Sequence, residues 1–574
     1  MKFPAICVLS LAIMASCGPP RAAVQGMVDD YVTAWKEFQP SDAFAAGAKE
    51  AAFRFESVSP GTVEAWVAFN AKTLERLRRL PGDLALDDRA DADLLERQAQ
   101  SQLDAWREDR IHASSPAFYA GTVSQALTHI LAREDLDPPD RWRAVESRLT
   151  GVRRLCEEGL AVVRDGRPQS TERSVRGMES AARFLEERLP GIVEDWPGER
   201  PAGLDALRRE AASAVRSLAA HVRDSVLPAA ALPDALGRAA YAPRLKTYTG
   251  LDISPEELED VAALEIAEVR SLMAVEAGLY HEERYPGKTP PASFDELVGS
   301  AIGDMEENRE SDQAGFLRVF EDLIERSETF IRDKGIATIP EPRTLWTALS
   351  PAHFAGAAVG GVYSAGPFNP GADTLFYLPT VPDDAPENVK EGFYRSFNNH
   401  FNTVIIPHEI TPGHYMQLKI AASLPRTARS LFSDPLYVEG WATLCEVIAL
   451  DAGWNGHDRL DRLAHLRKRL ENAVRAYTSV QVHCRGWDRD RLMAFAVTEG
   501  LLAPQFAINL WDRVIDSPFQ ITSYFLGFRE MTRLLEREKA GRGPDLDLRA
   551  FCDGVLGAGA VPIALLPEML RSGQ

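Results

Sequence analysis

Cysteine is scarce. The 574 residues hold six, at positions 7, 17, 156, 445, 484 and 552. That density argues against a disulfide scaffold, which needs many bridges in a short chain. Basic charge is also in deficit. Lys and Arg number 64 against 84 Asp and Glu, a formal net charge of −20. Nucleic-acid binding is disfavoured, because neutralising phosphates requires a basic face. Beyond the N-terminus no apolar run reaches the roughly 18 residues that a membrane-spanning helix needs. A P-loop, a dinucleotide fingerprint and a G-x-S-x-G elbow are missing, as is any repeat of about 20–50 residues. What is there has globular composition, 45% hydrophobic and 26% charged.

The N-terminus reads as an export signal. Lys2 provides a positive start, and Phe3 to Met14 form an apolar stretch too short to span a bilayer. Met14-Ala15-Ser16-Cys17 resembles a bacterial lipobox, with Met14 where Leu is usual. Residues 1–17 are therefore expected to be a lipoprotein signal peptide, with Cys17 as the lipidated first residue of the mature chain. An ordinary secretory signal cut after Ala22 or Ala23 is the alternative. Gly18, in place of Asp, favours the outer membrane. The expectation is an exported, periplasm-facing protein that touches the membrane only through Cys17. In an oxidising compartment Cys156, Cys445, Cys484 and Cys552 either pair or stay as buried thiols.

Residues 18–335 read as a helical N-terminal lobe. Val63, Trp66, Val67, Phe69, Leu74 and Leu77 recur near the 3.6 period, and similar patterns run through about 90–107, 141–165, 172–188, 202–226, 255–280 and 313–333. Pro and Gly thicken between about 336 and 385, where Gly361–Tyr363 and Thr374–Leu378 are candidate strands. Helical pattern resumes near Glu387. Residues 336–574 form the expected catalytic lobe, and the fold class is mainly α with a small β-sheet beside the active-site helix.

The richest chemistry is His408-Glu409-Ile410-Thr411-Pro412-Gly413-His414, followed by Gln417. Imidazoles bind Zn²⁺, and a neighbouring carboxylate can deprotonate a bound water. In H-E-x-x-H the two His share a helix face. Here they are i and i+6, about 240° apart on an ideal helix. Pro412 also cannot bond the carbonyl of His408. The helix must therefore bulge or end at Ile410–Pro412, with Gly413 turning His414 back. A third ligand is sought downstream, where Glu439 and Glu446 lie on one helix face. Glu439 fits ligation best, and Glu446 suits a carboxylate that orients a His.

These blocks together resemble a bacterial family catalogued as domain of unknown function 885, rich in presumed lipoproteins and similar to gluzincin metallopeptidases. Its hallmark H-E-x-x-P-G-H with a following Gln stands intact as His408, Glu409, Pro412, Gly413, His414 and Gln417. E-G-W-A with a later Glu stands as Glu439-Gly440-Trp441-Ala442 and Glu446. A His before Gly-Trp stands as His483, Gly486 and Trp487, and a C-terminal block as Pro518, Gln520, Tyr524 and Gly527. Two positions depart from the pattern, Tyr415 for a His and Ser479 for an Asp. The second lies four residues before His483.

The likeness covers about 24 to 574 as one continuous domain and implies a large two-lobed, gluzincin-like helical fold. It implies Zn²⁺ held by His408, His414 and Glu439, with Glu409 as general base. Tyr524 and His483 are the candidates for stabilising the oxyanion. The implied activity is zinc-dependent hydrolysis of oligopeptides in the cell envelope, with peptides as partners. The oligomeric state stays open. By analogy with zincins, the strand Leu375–Leu378 is expected to offer an edge to an extended peptide. The alternatives are a metal-dependent amidase of a non-peptide substrate and a non-catalytic envelope lipoprotein. His400 lies near the motif, yet Asn398-Asn399-His400 also reads as a helix start. His465 and the other His have no evident partners in the sequence.

Overall fold

The computed structural model describes residues 20–133, 135–350, 361–364, 366–543 and 546–572. The expected signal and the lipidation call at Cys17 lie outside the described residues. The chain is mainly helical with one small sheet. The expected helical stretches form close to where the apolar spacing puts them. Pro60–Leu77, for example, buries Val63, Trp66, Leu74 and Leu77, and the Ser59 hydroxyl caps its start.

The helices that frame the site are α1 (Leu86–Leu103), α2 (Arg238–Thr249), α3 (Pro255–Arg284), α4 (Gln313–Lys334), α5 (Asn399–Glu409), α6 (His414–Ser423), α7 (Pro435–Asp451), α8 (Arg459–Arg485), α9 (Pro504–Asp516) and α10 (Gln520–Arg542). Their starts are written in the sequence. Asn398 accepts from Phe401 N at 3.0 Å to begin α5, and Asp434 accepts from Tyr437 N at 2.8 Å to begin α7. Ser254 and Glu257 form a reciprocal capping box on α3.

Two hydrophobic cores divide the chain. One runs from Met27 to Val226, and the other takes most of its residues from Tyr241 to Leu570. They part between Val226 and Tyr241. Phe316, Phe320, Ile324 and Ile331 of α4 belong to the second core. An amphipathic pattern shows that a helix has a buried face, but not which lobe covers it.

The short segment Ala428–Leu431 and Phe432 tie the cores together. Ala428 and Phe432 are buried in the first core, and the Phe432 ring meets Tyr31 edge-on at 5.3 Å. Burying such a ring is worth roughly 1.5–3 kcal/mol. Arg426 and Arg429 anchor the same segment to Asp87, Asp88 and Asp91 of α1.

The candidate strands Gly361–Tyr363 (β2) and Thr374–Leu378 (β3) both form, joined by an unanticipated β1 (Leu345–Leu349). The order is β1-β3-β2, parallel between β1 and β3 and antiparallel between β2 and β3. This corrects one expectation. Leu375–Leu378 lies in the central strand, with Leu375 opposite both Trp346 and Tyr363, so the backbone of Leu375–Tyr377 already has strand partners on both sides. It has no edge to give a peptide. The sheet sits beside α6, where Tyr415 Oη accepts from Thr344 N at 3.3 Å and Lys419 Nζ donates to the Pro370 and Ala372 carbonyls.

The body cysteines Cys156, Cys445, Cys484 and Cys552 are all free thiols. Among the described residues no helix is long and apolar enough to cross a membrane.

Candidate metal centre

The helix carrying His408 and Glu409 ends at Glu409, and a new helix starts at His414. The break at Ile410–Pro412 is where Pro412 requires it. Gly413 packs so tightly under the first helix that a Cβ there would fall 1.8 Å from His408 O. Any other residue would push the two His apart. Trp441 Nε1 donates to Pro412 O at 2.9 Å and pins the break to α7.

This hairpin brings both imidazoles to α7. Their rings lie 4.8 Å apart at 85°. His408 Nε2 is 3.9 Å from Glu439 Oε2, and His414 Nε2 is 3.6 Å from the same oxygen. Both separations exceed a hydrogen bond. They approach the spacing of about 3.4 Å between ligands placed about 2.1 Å from one tetrahedral ion. Glu439 Oε2 is buried with no hydrogen-bond partner. An orphaned buried carboxylate oxygen is costly unless something positive meets it. The three side chains form a group that could hold a metal ion.

Electrostatics prepare the pair unequally. Burial and the Lys468 charge hold His408 below the usual imidazole range, against the pull of Glu446. Burial also opposes charge on His414, but Glu439, with Glu409 and Gln417, outweighs it and holds His414 up at about 9. Gln417 Oε1 accepts from His414 Nδ1 at 3.2 Å, leaving Nε2 to face Glu439. Glu409 is partly buried next to His408 and close enough to His414 for its charge to act there.

Behind the triad lies a network that the sequence reading only half saw. Glu446 Oε1 accepts from His408 Nδ1 at 2.8 Å, as expected of an orienting carboxylate. Its Oε2 accepts from His465 Nδ1 at 2.7 Å, and Lys468 Nζ donates to Oε1. Burial pushes the Glu446 carboxyl up, but Lys468 and the two His override that and hold it well below the usual carboxylate range. His465 thus has a partner that its position in the chain did not reveal. One signal was available. His465, Lys468, Asn472 and Arg475 recur at spacings of three, four and three, which makes one polar face on a largely buried helix.

Tyr524 is brought in and His483 is not. α7 and α10 touch backbone to backbone at Gly440 and Gly527, where a Cβ on Gly440 would sit 2.3 Å from the Gly527 carbonyl carbon. Glu439 adjoins one glycine, and Tyr524 lies one turn before the other. The Glu439 charge, after burial, is what raises the Tyr524 hydroxyl above its ordinary pKa. Gln520 Nε2 donates to Tyr524 Oη at 3.0 Å. Tyr248 on α2 also feels Glu439 and was not anticipated.

His483 is committed elsewhere. Its Nδ1 accepts from Leu236 N at 3.0 Å, its Nε2 donates to Val514 O at 2.9 Å, and its ring stacks on Tyr241. Both nitrogens are used, which leaves none for an oxyanion. The Ser479 hydroxyl bonds elsewhere: it donates to Pro518 O and accepts from Tyr241.

A second His-Asp group, His400 with Asp458 and Asp461, is already satisfied internally. His400 Nδ1 meets Asp461 at 2.7 Å, its Nε2 faces Asn308, and Asn455 bonds the other Asp461 oxygen. Two cavities flank the triad without being lined by it. One of about 450 Å³ includes Tyr248, Phe519 and Pro435. The other, of about 510 Å³, includes Val362 and Tyr363 of β2 and Leu418 of α6. Gln98, Leu431 and Phe432 line both.

A family model described as bacterial protein of unknown function (DUF885) matches residues 40–570, and the chain belongs to that family. Two solved structures share its fold. A predicted lipoprotein of unknown function from Shewanella oneidensis is 20% identical with a TM-score of 0.79, covering 97% of this chain and 100% of that one. A predicted lipoprotein from Colwellia psychrerythraea is 16% identical with a TM-score of 0.73, covering 96% and 99%. No curated protein matches the chain.

Proposed function

We propose that the chain is a zinc-dependent hydrolase of peptide bonds with a gluzincin-like fold, working in the bacterial cell envelope. The observation that carries this reading is the buried, unpartnered Glu439 Oε2 facing His408 Nε2 and His414 Nε2 at 3.9 and 3.6 Å. The donor set of two imidazoles and one carboxylate suits Zn²⁺ in an open catalytic site. When bound there, the ion would supply Lewis acidity to the scissile carbonyl and to water. Glu409 takes the proton of the attacking water as the C–O bond forms and delivers it to the leaving nitrogen as the C–N bond breaks. Tyr524 supplies a hydroxyl to the developing oxyanion. Glu446 orients His408 through Nδ1 so that Nε2 stays free for the ion. An envelope location is supported by the export signal read at residues 1–17 and by the lipoprotein descriptions of the two structural neighbours.

Glu409→Gln tests the reading. Turnover of a peptide panel should fall by about 10²–10⁴-fold, with zinc content measured by mass spectrometry unchanged. A variant equal to wild type in every assay would leave a non-catalytic lipoprotein.

A further inference from the structure

Beyond Lys468 the polar face of α8 continues as Asn472 and Arg475. Asn472 is 3% exposed, and its Nδ2 is buried with no hydrogen-bond partner. Its orientation is determined, because Oδ1 accepts from Arg475 Nη1 at 3.1 Å and a flipped amide would set donor against donor. The Arg475 guanidinium lies over the Tyr524 ring at 5.1 Å, and Arg513 of α9 lies 5.7 Å from the same ring. Arg513 donates to Gln520 Oε1 at 2.8 Å, and Gln520 Nε2 in turn donates to Tyr524 Oη. Among the described ion pairs Arg513 has no carboxylate partner, whereas Arg475 shares Glu471. The hydrogen of the Tyr524 hydroxyl is not used in that chain of bonds.

Asn472 Nδ2 thus lacks an acceptor and Arg513 lacks a carboxylate, with the Arg475 guanidinium beside them, one to two helical turns from the residues behind His408. A buried donor without an acceptor, next to two guanidiniums, calls for an anion. Glu439 and Glu471 stand close by and oppose a multiply charged guest such as a phosphate, but tolerate a single negative charge. Building on the peptide hydrolysis proposed above, we infer that Arg513, Arg475 and Asn472, beside Tyr524, form a subsite for a peptide carboxylate, so that substrates present a carboxylate close to the scissile bond. The geometry favours a free C-terminus over the middle of a long chain.

The test uses three probes: N-acetyl-trialanine, its C-terminal amide, and N-acetyl-Ala-Ala-Glu amide. Binding to the full-length Glu409→Gln protein is measured by isothermal titration calorimetry, so that turnover does not consume the ligand. The free acid should bind about 10- to 100-fold tighter than its amide, the worth of hydrogen bonds to a charged group. Arg513→Met should bring that ratio towards one, and Arg475→Met serves the same purpose if the first variant unfolds on heating well below wild type. Tighter binding of the free acid assigns the subsite to the chain terminus. Tighter binding of the Glu peptide assigns it to an acidic side chain. Equal binding of all three probes by the otherwise wild-type site overturns the inference. Wild-type turnover is scored separately. Cleavage with no preference for a carboxylate would sink the subsite and leave the hydrolase standing, and selective binding without any cleavage would do the reverse.

Discussion

Gly440 of α7 and Gly527 of α10 meet with no side chain between them. A Cβ on Gly440 would lie 2.3 Å from the Gly527 carbonyl carbon, and one on Gly527 would lie 2.2 Å from Leu436 O. Backbone cannot yield as a flexible side chain can. Gly440→Ala should therefore part the helices, move Glu439 away from Tyr524 and cost about 1–3 kcal/mol. Urea unfolding would show the loss, and zinc titration a weaker site. An alanine variant with wild-type stability and zinc affinity would mean that the crossing does not set the geometry.

The three proposed ligand positions can be replaced one at a time. His408→Ala, His414→Ala and Glu439→Ala should each lose bound zinc after dialysis, as measured by mass spectrometry. Glu439→Gln is the sharper case, because it keeps the shape but removes the charge that both imidazoles face. Full zinc occupancy in all of these variants would refute the ligand assignment.

Glu446 touches three partners at once and is fully buried. Glu446→Ala should weaken zinc binding by about 10- to 100-fold through loss of His408 orientation. It should also destabilise the fold by about 3–5 kcal/mol, because Lys468 is left as an unpaired, largely buried charge. Adding Lys468→Met to it should recover part of the stability but not the zinc affinity. Recovery of both would show that Glu446 only neutralises the lysine.

His483 should matter for stability rather than for catalysis. Burial holds its pKa down at about 4. A base with a depressed folded pKa binds fewer protons folded than unfolded, so its stabilising share is full above pH 6.5 and is lost as pH falls towards 4. Protonation would also set Nδ1–H against the Leu236 N–H. Wild type should thus lose up to about 3 kcal/mol over that window from this residue. In His483→Leu that part of the pH dependence disappears, at a cost of about 2–4 kcal/mol at pH 7. Urea midpoints from pH 7 to 4 decide it. An unchanged pH slope would refute the assignment.

The helices were legible because their apolar spacing and caps are local. So was the break at Pro412, since proline's missing N–H and ring clash act within one turn. The placement of β3 was not legible. Thr374–Leu378 reads as a strand from its own residues, but whether a strand is central or an edge depends on what pairs with it, and β1 went unread. Tyr524 and His483 looked alike as polar residues in motif blocks. Only packing separates them: α7 and α10 cross at a glycine pair that carries Tyr524 inward, while Leu236 and Val514 claim both nitrogens of His483.

By itself the sequence determined the residue types proposed as ligands, the helix that must stop between His408 and His414, and the helical class, because these follow from covalent geometry and short-range periodicity. The tertiary structure decided which carboxylate faces the two imidazoles and which one stands behind them. Glu439 and Glu446 share a helix face; their order after the His pair suggests Glu439 as the ligand and Glu446 as the orienting carboxylate, but sharing a face does not separate them. The distinction comes from burial. Lys468 and His465, brought from α8, saturate Glu446, while Glu439 keeps one buried oxygen without a partner.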